Sequence, residues 1–342
     1  MIGLMRAELL RLRRRRSLQA IILAVPLLVG VTFVLGYNSI YDQGPFDEAA
    51  FRQELLDGGF GIGVSPEELE PLLAETIESQ RQVYVQMEDA QRLVRATYVF
   101  PYSLVQVLTN GTFVLLALIL LTATTIGDEF GWATIRTSLV ASGRRRKFLL
   151  VRLGAVGVAG LLIFGFLLVL GALLPLLLNI PPSRLPATLP AFDGGAFLVL
   201  IGGELVASLL VIAFAALITL LLRNGALTLV SVLVWVAVEA AVLTLLLRFP
   251  NFGGNGFSTV GGDQPAPPPP PDAWLLDAFP LRGITTLVNQ AGRAATGLPT
   301  YVGEVISRDV HVAAVPITSF AILAAILFAL GFRRFSRMDI IE

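Results

Sequence analysis

Apolar runs long enough to cross a membrane alternate with polar segments along this 342-residue chain. The runs cover residues 18–37, 102–126, 148–178, 196–222, 225–247 and 311–332. A helix needs roughly 20 apolar residues to cross a hydrocarbon core of about 30 Å. The pattern therefore predicts an all-α membrane protein with six transmembrane helices. Pro26, Pro175 and Pro316 fall inside or near the ends of these runs, where neighbouring helices can satisfy the backbone groups that a proline frees. Ahead of the first run, Ile2, Met5, Leu9 and Leu12 recur every three or four residues, and Arg13-Arg14-Arg15-Arg16 follows. Residues 1–17 thus read as a basic amphipathic helix in the membrane interface. A secretory signal also passes from basic to apolar. Run 18–37 is as long as a full span, however, and no small-residue cleavage site is evident, which favours an uncleaved first span.

The polar segments differ from one another. Residues 38–101 carry twelve acids and four arginines and read as mainly helical. Ser65-Pro66-Glu67-Glu68 predicts a capping box with proline at the first helical position. Pro71 is expected to kink or restart that helix. Leu73, Ile77, Tyr84, Met87 and Val94 then form an apolar stripe, as expected of a small helical cap packed on itself or on a twin. Residues 248–310 contain a glycine-rich stretch and the unbroken run Pro267 to Pro271, a flexible piece followed by a stiff one. Trp274-Leu275-Leu276 and Leu281 to Val288 are apolar but too short to span. They predict short re-entrant or interfacial helices, with Trp274 at the interface.

Charge fixes the expected orientation. With the N-terminus inside, the inner segments hold six basic residues in 1–17, six in 127–152, Arg223 and three in 333–337, and the outer segments hold nine. The positive-inside rule then places both termini in the cytoplasm. Mean hydropathy of +0.76 and 55% hydrophobic residues agree with an integral membrane protein. The chain has no cysteine and one histidine, His311. That excludes disulfides, thiolate metal sites and a cysteine nucleophile, and it argues against a histidine cluster. His311, at the outer mouth of the last span, is expected to be interfacial.

Two acids, Glu204 and Glu239, lie within the fourth and fifth spans. Ionisable groups at that depth are costly and are functional candidates by default. They are expected either to face a water-filled translocation path or to make a packing hydrogen bond.

Between the second and third spans lies the cytoplasmic segment 127–147. Trp132, Ile135 and Leu139 recur at three and four, which gives a short helix one apolar edge with Asp128, Glu129 and Arg136 around it. No Gly-x-x-x-x-Gly-Lys-Ser/Thr phosphate loop occurs in the chain, so it has no such means of binding ATP.

Glu129, Ala133-Thr134-Ile135-Arg136, Leu139, Ser142-Gly143-Arg144 and Lys147-Phe148-Leu149 resemble a motif of ABC-2 type exporter permeases. In that family an acidic residue, a G-T-x-R run, a leucine and a basic entry into the third span follow one another. Ala133 stands where glycine is common. Phe332-Arg333-Arg334-Phe335 with Met338-Asp339-Ile340 resembles the basic, Phe-rich close of such chains. The motif covers about 25 residues, and the topology is similar from end to end. The resemblance implies a permease that carries a drug, lipid, peptide or similar substrate out across the cytoplasmic membrane of a bacterium. It implies two copies of a separate ABC ATP-binding subunit, which would hold ATP and Mg, so that this chain needs no cofactor and is not itself an enzyme. It also implies a second permease subunit, identical or different, and a coupling role for Asp128, Glu129, Trp132, Ile135, Arg136 and Leu139. Membrane lipid is an expected partner and nucleic acid is not. Under the bland alternative, 127–147 is a topogenic loop whose arginines anchor the third span.

Three other classes compete. An intramembrane enzyme would need a nucleophile–base pair or a metal cluster, for which only Glu204 and Glu239 remain. A proton-coupled secondary transporter would use the same two glutamates. A non-transporting sensor or mechanotransmitter would have 38–101 as its active part.

Overall fold

A computed structural model of the protein describes residues 2–14, 16–40, 46–60, 65–131, 145–248, 290–298 and 311–337. The long elements are α1 (Ile2–Arg14), α2 (Arg16–Asn38), α3 (Glu48–Asp57), α4 (Pro66–Ala96), α5 (Tyr102–Leu108), α6 (Gly111–Gly131), α7 (Arg145–Leu178), α8 (Gly194–Leu222), α9 (Gly225–Arg248) and α10 (His311–Arg337). Among the described residues there is no strand.

Among the described residues, four helices are long and apolar enough to cross a membrane: Leu18–Asn38 in α2, Lys147–Leu178 in α7, Gly194–Leu222 in α8, and Ile317–Ser336 in α10. The run 102–126 is not one straight helix, as the sequence pattern predicts. It divides into α5 and α6, and Tyr102–Leu108 and Phe113–Gly127 meet at 46°. Counted as one broken span, the pair raises the number to five. The described apolar stretch of α9, Gly225–Glu239, is shorter than the others.

The bundle has an apolar core, and unlike a water-soluble protein it also turns many large apolar side chains outward. Leu177 is 78% exposed, Leu176 75% and Leu23 70%, while Arg152, Glu204, Glu239, Ser103, Thr122 and Thr219 are buried. Apolar side chains facing outward are at home in lipid, where interior polar groups must find partners inside the protein. The buried hydroxyls do so. Thr122 donates to the Leu118 carbonyl at 2.7 Å and Thr219 to that of Ala215 at 2.6 Å. Pro26, Pro71 and Pro175 all sit inside continuous helices, so Pro71 does not restart the helix.

Close crossings at glycine hold the bundle together. The Ser103 hydroxyl of α5 donates to the Gly171 carbonyl of α7 at 2.7 Å. Gly127 of α6 meets Gly225 of α9, where an added Cβ would lie 2.4 Å from the Gly225 Cα. A tight turn joins α8 to α9. Arg223 adopts the left-handed conformation (φ 53°), and the Asn224 side chain accepts from the backbone of Ala226 and Leu227 at 2.9 and 3.2 Å, capping α9. Asp193 caps α8 likewise.

At the α1 end of the bundle, Met5 and Leu9 pack against the core as the amphipathic pattern predicts, with Met5 seated on Gly154 of α7. At the other end, α3 and α4 pack on each other and are linked by Arg52–Glu70 at 2.6 Å. Ser65 is the N-cap of α4 with Pro66 behind it, but its side chain makes no capping hydrogen bond. The expected capping box is therefore present in position only. Of 248–310 the described part is 290–298. It packs Leu298 with Ala96 and Tyr102, and its Ala295 carbonyl accepts from the Asp193 N–H at 2.7 Å. The proline run, Trp274 and Leu281 to Val288 lie outside the described residues.

Candidate functional site

Among the described residues, buried polar groups of different helices come together at mid-depth and at the α1 end of the bundle.

The mid-depth place is the break between α5 and α6. No proline stands there; the break falls at Thr109 and Asn110. Asn110 Nδ2 donates to the Gln106 carbonyl at 3.2 Å, and Asn110 Oδ1 accepts from the Thr32 hydroxyl of α2 at 3.4 Å. One turn nearer the α4 end, Gln106 Nε2 donates to the Tyr98 hydroxyl at a long 3.5 Å. Burial beside the Phe33 and Tyr37 rings pushes the Tyr98 hydroxyl above the ordinary tyrosine range, and the Gln106 bond offsets part of that rise.

Glu204 of α8 faces the other side of the break. An added Cβ on Gly111 would lie 3.0 Å from Oε2 and 3.3 Å from Oε1 of Glu204. The carboxyl thus rests close against the backbone at the first residue of α6, where a side chain larger than glycine's would push it back by a few tenths of an ångström. Helix starts carry unpaired N–H groups and a partial positive charge, so α6 presents its favourable end to an anion. Glu204 is 2% exposed, and its Oε1 has no hydrogen-bond partner among the described residues. It stands ten residues into α8, about 15 Å at 1.5 Å per residue, close to the middle of a core of about 30 Å. Glu239 is also buried, within α9. The structure places both acids inside the bundle but does not hydrogen-bond them to each other. Among the described residues no cluster of acids or histidine could hold a metal ion.

At the α1 end, Arg152 of α7 is 1% exposed. Its Nη1 donates to the Thr125 carbonyl of α6 at 2.6 Å, and its Nη2 lies 3.5 Å from Glu8 Oε1 of α1. The guanidinium lies 4.8 Å from the centroid of the Phe148 ring, and Phe148 stacks on Phe335 of α10 at 6.2 Å. One cation therefore ties α1, α6 and α7 together, and the aromatic stack adds α10. Lys147-Phe148-Leu149 and Phe332-Arg333-Arg334-Phe335 enter the sequence reading as separate stretches, and here they touch. Arg152 itself was legible there only as one of the topogenic charges in 127–152.

Of the expected coupling residues, Asp128 and Glu129 lie in the last turn of α6, directly after the Thr125 carbonyl that Arg152 holds. Their side chains, and Trp132, Ile135, Arg136 and Leu139 altogether, lie outside the described residues. Between α6, α7 and α8 runs an apolar cleft of about 350 Å³, lined by Leu118, Gly157, Leu161, Phe164, Leu205 and Leu209 among others. Compared with protein-family models, with curated proteins and with solved structures, this chain matches none.

Proposed function

We propose that this chain is the membrane permease of an ATP-driven exporter of the ABC-2 type, with six spans and both termini in the cytoplasm. It works as a dimer of such halves with two separate ATPase subunits. The observation that carries the reading is the Arg152 node. Segment 132–144 connects α6 to α7 in sequence, and these two helices are bolted to each other and to α1 near the residues that flank it. A partner that displaces this segment therefore loads two spans and the amphipathic helix together. Coupling requires differential contact with two states of that partner; Trp132, Ile135 and Leu139 supply an apolar edge for it, and Asp128, Glu129 and Arg136 the charge.

The test is reconstitution of the chain with its co-purifying ATPase in vesicles. Replacing Glu129 or Arg136 by alanine leaves ATP hydrolysis running and lowers transport at least tenfold. Normal transport by both variants, or purification with no ATPase bound, overturns the reading.

A further inference from the structure

We infer that Glu204 is a proton-exchange site built into the break of the α5–α6 span, by which this chain takes up and releases a proton at mid-membrane. The inference goes beyond the exporter reading and does not depend on it.

A lone carboxylate removed from water is costly unless something of opposite charge or a hydrogen-bond donor meets it. Glu204 is 2% exposed, and its Oε1 meets neither among the described residues. Of the described elements, α6, α7, α9 and α10 pack along α8, and segment 290–298 with Arg293 meets its start at Asp193. Their charged residues are Asp128 and Glu129 at the far end of α6; Arg145, Arg146, Lys147 and Arg152 in the first turns of α7; Glu239 in α9, with Arg248 at its end; and His311, Arg333, Arg334 and Arg337 at the ends of α10. On α8 itself, Asp193 is the exposed cap. Among the described residues of these helices, the one charged side chain away from the helix ends besides Glu204 is Glu239, and it is an acid. A single positive charge of the smallest size completes such a site. A metal cation would need several further oxygen ligands, and among the described residues no cluster of acids or histidine gathers at Glu204 to supply them.

The break gives the proton a consequence. When Glu204 is ionised, the positive end of α6 holds its carboxylate at Gly111; when a hydronium hands its proton to Oε1 and leaves as water, that attraction falls away. The same break is held from the α2 side by Thr32 and Asn110. Discontinuous membrane helices whose ends meet a charged group at mid-depth are a recurring means of coupling an ion to movement. Here the ion acts on the bend itself.

The test uses the full chain in lipid nanodiscs, without any partner, and follows carboxyl C=O stretching by infrared difference spectroscopy as pH is changed. Glu204→Gln removes one pH-responsive band, and Gly111→Ala, whose methyl would meet the carboxyl, shifts that band without removing it. Glu239→Gln separates the second acid's band from it. In vesicles under an imposed pH difference, a lumenal pH dye reports protein-dependent proton entry that falls at least fivefold in Glu204→Gln. Far-ultraviolet circular dichroism identifies a variant that has failed to fold, and Gly111→Ala then carries the infrared test. An unchanged set of bands in Glu204→Gln overturns the inference. A Glu204 band that is insensitive to pH shows a sealed structural group instead. One that responds to sodium or potassium at fixed pH shows a metal-cation site, and either result also overturns it.

Discussion

Arg152 and Glu8 meet 3.5 Å apart at the α1 end of the bundle, and the same guanidinium holds the Thr125 carbonyl at 2.6 Å. Arg152 is 1% exposed and Glu8 14% by side chain. Breaking a buried pair from one side costs about 3–5 kcal/mol, because a charge is left behind without its partner. Glu8 retains some access to water, so the lower part of that range applies. Arg152→Ala is expected to lower the unfolding temperature in detergent clearly more than Glu8→Gln, since it also removes the guanidinium bond to the Thr125 carbonyl. Melting of Arg152→Ala at the wild-type temperature would show that the node is not a structural bolt.

The Arg52–Glu70 pair is shorter, at 2.6 Å, yet its side chains are 45% and 66% exposed. Water screens such pairs, and their worth is typically below about 1 kcal/mol. Glu70→Gln is therefore expected to leave the melting temperature within experimental error of the wild type. A shift as large as that of Arg152→Ala would mean that α3 is held to α4 chiefly by this contact.

Apolar run length made α2, α7, α8 and α10 legible, because lipid demands one uniform property over some 20 residues. The break at Thr109-Asn110 was not legible. Proline is the usual mark of a bend, yet Pro26 and Pro175 sit in continuous helices, while the bend forms where Asn110 finds Thr32 on another helix. The two acids could be named from depth alone, but only the fold brings Glu204 to Gly111. Arg152 entered only as one of the six basic residues counted in 127–152, because Glu8 and Thr125, which define its role, stand far from it in sequence. Periodicity reports which face a residue takes, and it carries no information about distant partners.

The N-cap of α8 offers a local test. Asp193 accepts from the N–H groups of Gly195 and Ala196 at 2.8 and 3.1 Å. Loss of such a cap costs about 1 kcal/mol. Asp193→Ala is expected to lower stability by about that amount, and Asp193→Asn, which keeps the acceptor, by less. Equal losses in both would assign the effect to charge, not to the cap.

Two glycines in neighbouring helices have opposite expectations. A Cβ on Gly127 would fall 2.4 Å from the Gly225 Cα and 2.5 Å from its nitrogen. Both are backbone atoms, so α6 and α9 must separate to admit it, at about 1–3 kcal/mol for overpacking. A Cβ on Gly157 meets nothing within 4 Å, and in a helix interior alanine is the better residue by about 0.8–1 kcal/mol. Gly127→Ala is thus expected to melt lower than the wild type, and Gly157→Ala at the same temperature or slightly higher. Because Gly127 sits one residue before Asp128, the separation also displaces the root of segment 132–144. If that segment drives the spans, Gly127→Ala reduces coupled transport more than its loss of stability explains, whereas Arg52→Ala does not. Parallel melting and vesicle assays on the two variants decide the point, and full transport by a folded Gly127→Ala would detach the α6–α9 crossing from the coupling route.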